Sequence, residues 1–224
     1  MATALIVGAS RGIGFELARQ YRADGWRVLA TVRKQDDGKG LHELGCDILI
    51  VDVNNVEHCA ALGWQLDDER LDVAILCAGL YGPKTTGLET PSAIDFDTVM
   101  HANVLGAMRL LPLLGPLVAN AKGRLALLSS MMGSISLRSN PNGWLYRASK
   151  AALNSVLADV ALTFGPTGAI CVALHPGWVR TDMGGSEADL AVGDSAAGIR
   201  ATLNKLSARD NGKFFDHDGT PLPW

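Results

Sequence analysis

The stretch that decides the fold runs from Thr3 to Gly14 and reads T-A-L-I-V-G-A-S-R-G-I-G. Its first five residues form an apolar run of strand length, and apolar residues then recur at helical spacing from Gly12 to Ala23. Glycine at the turn, beginning with Gly8, lets the chain reverse sharply and lets a ligand approach the backbone closely. The start of the following helix presents free N–H groups to an anion such as a pyrophosphate. The stretch therefore predicts a strand, an anion-binding turn and a helix.

The rest of the chain repeats this alternation of short apolar runs and longer stretches of helical spacing. The predicted strands are Thr3–Val7, Arg27–Val32, Asp47–Val51, Leu71–Leu76, Arg124–Leu128, Ile170–Leu174 and a short Lys213–Phe215. Besides Gly12–Ala23, the predicted helices cover about 56–66, 95–119, 146–164 and 195–206. Strands that are apolar on both faces and are followed by helices indicate a parallel sheet covered on both sides. We expect one α/β domain over residues 1–224, a doubly wound Rossmann-type fold with about seven strands.

Composition excludes several classes of protein. The chain has 224 residues, of which 48% are hydrophobic and 19% charged, so intrinsic disorder is not expected. Its formal net charge is −3, whereas a nucleic-acid-binding protein would show a basic excess. No apolar run approaches the roughly 18 residues of a membrane span, because prolines interrupt Leu110–Val118. We therefore expect neither nucleic acid nor membrane as a partner.

The cysteines and histidines carry no metal or disulfide signature. The four cysteines are scattered and form no C-x-x-C pair. They therefore argue against a zinc ribbon or disulfide framework and favour a reducing, cytoplasmic setting. No basic segment precedes the first strand, so no signal peptide is expected. His101 and His175 have no carboxylates or histidines at ligand spacing around them, and no metal site is predicted.

Two arginines bear on which dinucleotide the turn would hold. Arg33 lies just past the second predicted strand, where an acidic residue would bind the 2′-hydroxyl of NAD and an arginine would accommodate the 2′-phosphate of NADP. Arg11, inside the glycine-rich turn, could add a second cation. Both could instead be solvated surface residues. Their positions favour NADP(H) as the cofactor, with NAD(H) as the alternative.

A second motif carries the chemistry. Tyr146 and Lys150 are four residues apart on a predicted helix and therefore share one face. A phenol has a reference pKa near 10, and a neighbouring ammonium favours the phenolate and lowers that pKa. Tyr146 would then serve as an acid or base nearer neutral pH. Taken alone, the Y-x-x-x-K pair is common on helices and is a weak signal.

From end to end, the chain resembles the short-chain dehydrogenase/reductase family, and most of all its C-factor-like branch. The landmarks occur in the family's order: the G-x-x-x-G-x-G turn, Asp52-Val53, Cys77-Ala78-Gly79, Asn103, Ser129-Ser130, Tyr146, Lys150 and Pro176-Gly177. The markers of the branch are S-S-M-M-G-S-I from Ser129, Y-R-A-S-K-A-A-L-N from Tyr146 and the ending D-G-T-P-L-P-W. Several landmarks in the right order are far more specific than any one motif.

The resemblance implies a catalytic set. Tyr146 would protonate a substrate carbonyl oxygen, and Lys150 would lower the tyrosine pKa and hold the nicotinamide ribose. Ser130 would hydrogen-bond the carbonyl oxygen, with Ser129 as the alternative serine. Asn103 would hold a water that links Lys150 to solvent.

The resemblance also implies a cofactor site. The implied cofactor-binding residues are Gly8, Ser10, Arg11, Gly12, Ile13, Gly14, Arg33, Asp52, Val53, Cys77, Ala78, Gly79, Tyr146, Lys150, Pro176, Gly177, Val179 and Thr181. The chain departs from the family pattern at two of its turns. Val7 stands where threonine is common, so one hydroxyl of the first turn is missing, and Cys77 stands where asparagine is usual. The segment between Ser130 and Tyr146 is also longer than usual.

Two functions follow from the resemblance. The first is an NADP(H)-dependent carbonyl reductase or alcohol dehydrogenase that acts on a small ketone, aldehyde or secondary alcohol. The second is a dinucleotide-binding signalling or regulatory protein of C-factor type, in which turnover is secondary. A homodimer or homotetramer through the two long helices is expected from the resemblance.

Overall fold

A computed structural model describes all 224 residues, and its centre is one eight-stranded sheet. The strands are β1 (Thr3–Val7), β2 (Arg27–Val32), β3 (Asp47–Ile50), β4 (Val73–Leu76), β5 (Arg124–Leu128), β6 (Ile170–His175), β7 (Lys213–Asp216) and β8 (Pro221–Leu222). Their order is β3-β2-β1-β4-β5-β6-β7-β8. The first seven pair in parallel, and only β8 is antiparallel to its neighbour β7. This arrangement confirms the predicted doubly wound α/β fold.

Helices cover both faces of this sheet. They are α1 (Gly12–Ala23), α2 (Lys39–Glu43), α3 (Val56–Gln65), α4 (Ala93–Met100), α5 (Gly106–Asn120), α6 (Trp144–Phe164) and α7 (Val192–Lys205). A buried apolar cluster of 26 residues joins one face to α3, α5 and α6, and a second of 23 residues joins the other face to α1, α2 and α7. The two layers are nearly equal, which explains why the strands are apolar on both sides.

The structure differs from the sequence-based prediction at three elements. No predicted helix covers the short α2 (Lys39–Glu43), because five residues are too few to show a helical period. The eighth strand, β8, was not predicted, because a two-residue strand that includes a proline is too short to show an alternating pattern. The helix predicted over 95–119 is divided by a turn of π-helix, His101–Leu105, in which the Gly106 N–H donates to the His101 carbonyl. Such π turns occur frequently at functional sites.

The stretch from Ala93 to Asn120 corrects the expectation that no apolar stretch approaches the length of a membrane span. The helical path runs on through Pro112 and Pro116, and it is long and apolar enough to cross a membrane by length and composition alone. Most of this stretch is buried inside the protein, as in the core helix of a globular domain. Its apolar character is therefore accounted for by packing against the sheet and α6.

The strand order determines where a site can form. The chain leaves β1 toward β2 and β3 on one side and continues from β4 toward β7 on the other. In open parallel sheets, a crevice opens at the carboxyl ends of the strands where the order reverses. Here that point lies between β1 and β4, so the segments that follow these two strands meet at one edge.

Candidate active site

A cavity of about 530 Å³ lies at this edge of the sheet, within the size range of small-molecule sites. It gathers residues that follow six different strands, β1 to β6. The predicted site residues that line it are Gly8, Ser10, Arg11, Gly12, Ile13, Gly14, Arg33, Asp52, Val53, Cys77, Ala78, Gly79, Tyr146, Lys150, Pro176 and Thr181. Thr31, Asn54, Leu80 and Met183 also line the cavity, although no sequence motif singled them out.

Four predicted site residues do not line this cavity. Asn103 borders a small neighbouring cavity, and Ser130 is buried beside Ser129, which does line the main one. Val179 is buried and pairs with Leu190 in an isolated β-bridge. Gly177 lies against the same leucine, because a Cβ added to it would come within 2.7 Å of Leu190 Cδ2. Gly177 and Val179 therefore anchor the loop after β6 to Leu190.

The glycine-rich turn depends on close backbone contacts. Gly8 has a φ of +84°, in the left-handed region that favours glycine, and a Cβ on Gly14 would lie 2.2 Å from the Gly8 carbonyl oxygen. The Gly8 N–H donates to the Thr31 hydroxyl at 2.9 Å, and the Ala9 N–H donates to the Thr31 carbonyl. Thr31 on β2 therefore supplies a hydroxyl contact to the turn, next to Val7, which has no hydroxyl.

The two arginines predicted to meet a phosphate differ in their surroundings. Arg11 forms an exposed ion pair of 2.5 Å with Asp182 in the loop after β6. Arg33 is exposed and makes no hydrogen bond or ion pair within the protein. Arg33 is therefore the cation at this end of the cavity whose guanidinium is free for an anion.

Tyr146 and Lys150 are buried together on α6. The Lys150 Nζ lies 5.6 Å from the centre of the Tyr146 ring and donates to the Leu128 carbonyl oxygen at 2.8 Å. Burial lowers the pKa of Lys150 to about 8, since no carboxylate compensates for the lost hydration. Gly79 makes room for the neighbouring Asn103 amide, because a Cβ there would lie 3.1 Å from its Oδ1.

The pKa of Tyr146 corrects the prediction of a lowered value. Burial, assisted by the nearby Tyr81 phenol, raises the pKa of Tyr146 to about 12, and the hydrogen-bonding Ser130 hydroxyl acts in the opposite direction. Desolvation outweighs the expected effect of Lys150, because a phenolate in this apolar setting would lose its hydration. The phenol is therefore protonated at neutral pH.

The two adjacent serines after β5 have different partners. The Ser129 hydroxyl donates to Asn154 Oδ1 on α6 at 2.6 Å, so its proton is already used. The Ser130 Oγ accepts from the Met132 N–H at 3.1 Å, and its hydroxyl lies beside the Tyr146 phenol, whose pKa it lowers. Ser130 is thus the serine of the pair whose hydroxyl lies next to Tyr146.

Asn103 connects three parts of the site from within the π turn. Its Oδ1 accepts from the Leu80 N–H at 2.8 Å, and its Nδ2 donates to the Leu80 carbonyl and to Ser149 Oγ, both at 2.9 Å. Ser149 in turn donates to the Tyr146 carbonyl at 2.8 Å. The side chain therefore fixes the loop after β4 relative to the first turns of α6.

The long segment between Ser130 and Tyr146 is held at several points. The Arg147 guanidinium donates to the Asn142 carbonyl at 2.8 Å and to Asn140 Oδ1 at 3.1 Å. Near its start, the Ser134 hydroxyl donates to the Pro223 carbonyl at 2.7 Å. The additional residues are therefore tied to α6 and to the segment that follows β8.

We predict that Thr31→Val lowers the free energy of unfolding by about 1–3 kcal/mol, because the Gly8 N–H loses its acceptor. Urea denaturation measures the change. Thr31→Ser keeps the hydroxyl and should recover most of the loss, and Thr163→Val on the exposed face of α6 is the matched control. Wild-type stability in Thr31→Val would contradict the assigned role.

Comparisons with known proteins agree with this geometry. A family model described as enoyl-(acyl carrier protein) reductase matches residues 8–208. C-signal of Myxococcus xanthus is 37% identical over 155 residues, which cover 69% of this chain and 93% of that protein. The carbonyl reductase Sniffer of D. melanogaster is 30% identical, with a TM-score of 0.90 over 100% of both chains. A carbonyl reductase from Pseudomonas aeruginosa PAO1 in complex with NADP is 35% identical, with a TM-score of 0.89 and the same coverage. The chain therefore belongs to the short-chain dehydrogenase/reductase family of oxidoreductases.

Proposed function

We propose that the protein is an NADP(H)-dependent carbonyl reductase that interconverts a small ketone or aldehyde and the corresponding alcohol. The observation that carries this proposal is that one cavity joins the glycine-rich turn and Arg33 to the buried Tyr146–Lys150 pair. The two solved structures of similar overall fold reported above, both carbonyl reductases and one in complex with NADP, support it.

The residues present fit a dinucleotide. The positive φ of Gly8 and the close approach of Gly14 leave backbone where side chains would block a pyrophosphate, at the start of α1. The unpaired Arg33 guanidinium suits a 2′-phosphate, which favours NADP(H) over NAD(H). When bound, the cofactor supplies the hydride. Thr181 packs near the turn, since its Cγ2 would lie 3.5 Å from a Cβ on Gly12.

The protein's own residues supply the proton. With a pKa of about 12, Tyr146 holds its phenolic proton at neutral pH and can donate it to the carbonyl oxygen of a substrate. The Lys150 ammonium favours the phenolate that is left behind. The Ser130 hydroxyl, beside the phenol, donates a hydrogen bond to the same oxygen, where negative charge develops during reduction.

Asn103 acts in this proposal mainly as a positioning residue. Both hydrogens of its amide are used by Leu80 and Ser149, whereas its Oδ1 accepts one hydrogen bond, from the Leu80 N–H, and has a second lone pair for a water. The water that connects Lys150 to solvent stays a prediction, and it would donate to this oxygen.

We also propose that the chain self-associates through its long helices. Ile94 on α4, Met108 on α5 and Leu162 on α6 are 78%, 52% and 76% exposed. Apolar side chains on neighbouring helices suit a helix-to-helix interface between copies. A cytoplasmic location stays a prediction from the scattered cysteines.

A signalling or regulatory role is the second candidate, and the relative named C-signal favours it. In that case dinucleotide binding would matter and turnover would be secondary. The Tyr146→Phe variant distinguishes the two functions. A sensor would keep its biological role in this variant, whereas a reductase would lose its activity.

The first test follows NADPH oxidation with a panel of ketones, aldehydes and diketones, and with NADH in parallel. A crotonyl thioester tests the activity named in the family model's description. We expect turnover of carbonyl compounds with NADPH, and we expect Tyr146→Phe to abolish it because the variant has no phenolic proton. NADPH binding should survive in the variant, since the ring is kept. Undiminished turnover in Tyr146→Phe would remove Tyr146 from the mechanism.

The kcat/KM for carbonyl reduction should fall as the pH rises through about 8, where Lys150 loses its proton. The neutral amine no longer stabilises the phenolate, whereas Tyr146 itself stays protonated in this range. The profile is measured at subsaturating NADPH and carbonyl, because kcat/KM reports groups of the free enzyme. NADPH affinity at each pH is the control, and a profile that stays flat above that pH would contradict the role of the ammonium.

Another prediction concerns the choice between NADPH and NADH. Arg33→Ala should weaken NADPH binding roughly 10- to 100-fold, the effect of losing a charge-assisted hydrogen bond to phosphate. NADH binding should change little, because NADH lacks the 2′-phosphate. Fluorescence titration of both nucleotides measures the ratio, with the exposed Arg209→Ala as control. An equal loss for NADPH and NADH would place Arg33 away from the 2′-phosphate.

A further inference from the structure

Tyr81 lies on the loop after β4, beside the catalytic residues assigned above, and has no role in that mechanism. Its backbone is fixed on one side, because the Asn103 amide binds both the N–H and the carbonyl of Leu80. The side chain is half-buried. Its place is therefore set by the same asparagine that ties this loop to α6.

The Tyr81 ring stacks on the Tyr146 ring. The ring centroids are 4.6 Å apart and the ring planes differ by 24°. Stacked aromatic pairs at this distance are attractive beyond the area they bury. One face of the proton-donating ring is therefore covered by a second aromatic side chain.

The backbone at the start of α6 accommodates this stacked ring. Gly143, immediately before the helix, has a φ of +64°, and a Cβ there would lie 2.3 Å from the Tyr81 Oη and 3.0 Å from its Cζ. Any side chain at this position would force the Tyr81 phenol to move from its place in the stack. The missing Cβ of Gly143 is thus the space that the Tyr81 phenol occupies.

The Tyr81 hydroxyl makes no hydrogen bond in the protein, although it lies at the start of the helix that carries Tyr146. A hydroxyl without a partner in the protein does not hold the half-buried ring in place. The ring rather than the hydroxyl is the part in contact with the catalytic residue.

We propose that Tyr81 is a positioning residue, which holds the Tyr146 ring by stacking and so aims its phenolic proton at the substrate carbonyl. This inference rests on the reductase function proposed above. The stack covers one face of the Tyr146 ring, so a carbonyl compound approaches the hydroxyl edge and not that face. The ring also keeps water from Tyr146, in agreement with the strong desolvation of its phenol.

The kinetic test compares Tyr81→Phe, which keeps an aromatic ring, with Tyr81→Leu, which removes it. We expect Tyr81→Leu to lower kcat about tenfold, the effect of losing one stacking interaction in the transition state, with KM and NADPH affinity little changed. Tyr81→Phe should keep most of the wild-type kcat. Equal losses in both variants would assign the effect to the hydroxyl, and a wild-type kcat in Tyr81→Leu would show that the stack does no positioning. Either result overturns the proposal.

Gly143→Ala disturbs the stack of Tyr81 on Tyr146 by a clash with the Tyr81 phenol. It should lower kcat as Tyr81→Leu does, and it should cost little more in the Tyr81→Leu background, where the clashing ring is gone. Gly25→Ala is the matched control, because Gly25 has a φ of +78° and open space around it, far from the site. Additive losses in the double variant would contradict a shared cause.

A second readout needs no turnover. The chain has three tyrosines, so incorporation of meta-fluorotyrosine gives three fluorine resonances, assigned by Tyr21→Phe, Tyr81→Phe and Tyr146→Phe. We expect the Tyr146 resonance to move downfield and broaden in Tyr81→Leu, because the shielding ring is lost and the phenol gains freedom. It should stay in place in Tyr81→Phe. An unmoved resonance in Tyr81→Leu would overturn the positioning role.

The kinetic and fluorine measurements together distinguish a failure of the reductase function from a failure of the role proposed for Tyr81. If the wild-type chain reduces no carbonyl compound while the Tyr146 resonance shifts as expected, the reductase function fails and the ring contact stands. If turnover is normal and the resonance does not respond, the reductase function stands and the role of Tyr81 fails.

Discussion

The site depends on one buried ammonium without a carboxylate partner. Lys150 is 5% exposed, and its hydrogen bond to protein goes to the carbonyl of Leu128, the last residue of β5. Burial of an ammonium costs free energy unless polar groups surround it. The Leu128 carbonyl and the open cavity provide that surrounding. The desolvation that makes burial of the ammonium unfavourable also lowers the pKa of Lys150 to about 8, close to neutral pH.

The surrounding fold keeps this lysine in place through polar links between elements. Asn103 joins the π turn to the loop after β4 and, through Ser149, to the first turns of α6. The π turn matters because its wider hydrogen-bond spacing departs from the α-helical register on both sides. A regular helix from α4 through α5 would present a different face to Leu80 at this point. The irregular turn is therefore the feature that lets one amide bind three groups at once.

Most of the fold could be predicted from the sequence, because parallel strands buried on both faces are apolar runs and the helices between them have a clear period. The glycine and arginine positions predicted residues that line one side of the cavity, because they follow strand ends that meet at one edge of the sheet. The sequence could not reveal the pKa of Tyr146, since the motif shows that Lys150 is near but not how much water both groups lose. The role of Asn103 and the stack of Tyr81 depend on contacts between distant segments, which no local pattern encodes.

In the turn after β1, the backbone is held by a hydroxyl from the neighbouring strand β2. Val7 removes a hydroxyl from the residue before Gly8, and the sequence alone indicates a loss. The register of the sheet pairs Ile6 with Ala30, so the next residue on β2, Thr31, comes to lie beside Val7 and Gly8. Its hydroxyl accepts the Gly8 N–H from the neighbouring strand. A turn that binds an anion needs its other N–H groups to point at the ligand, and fixing Gly8 from β2 leaves them free to do so. The hydroxyl is therefore placed by strand pairing, which is why a search along β1 alone cannot find it.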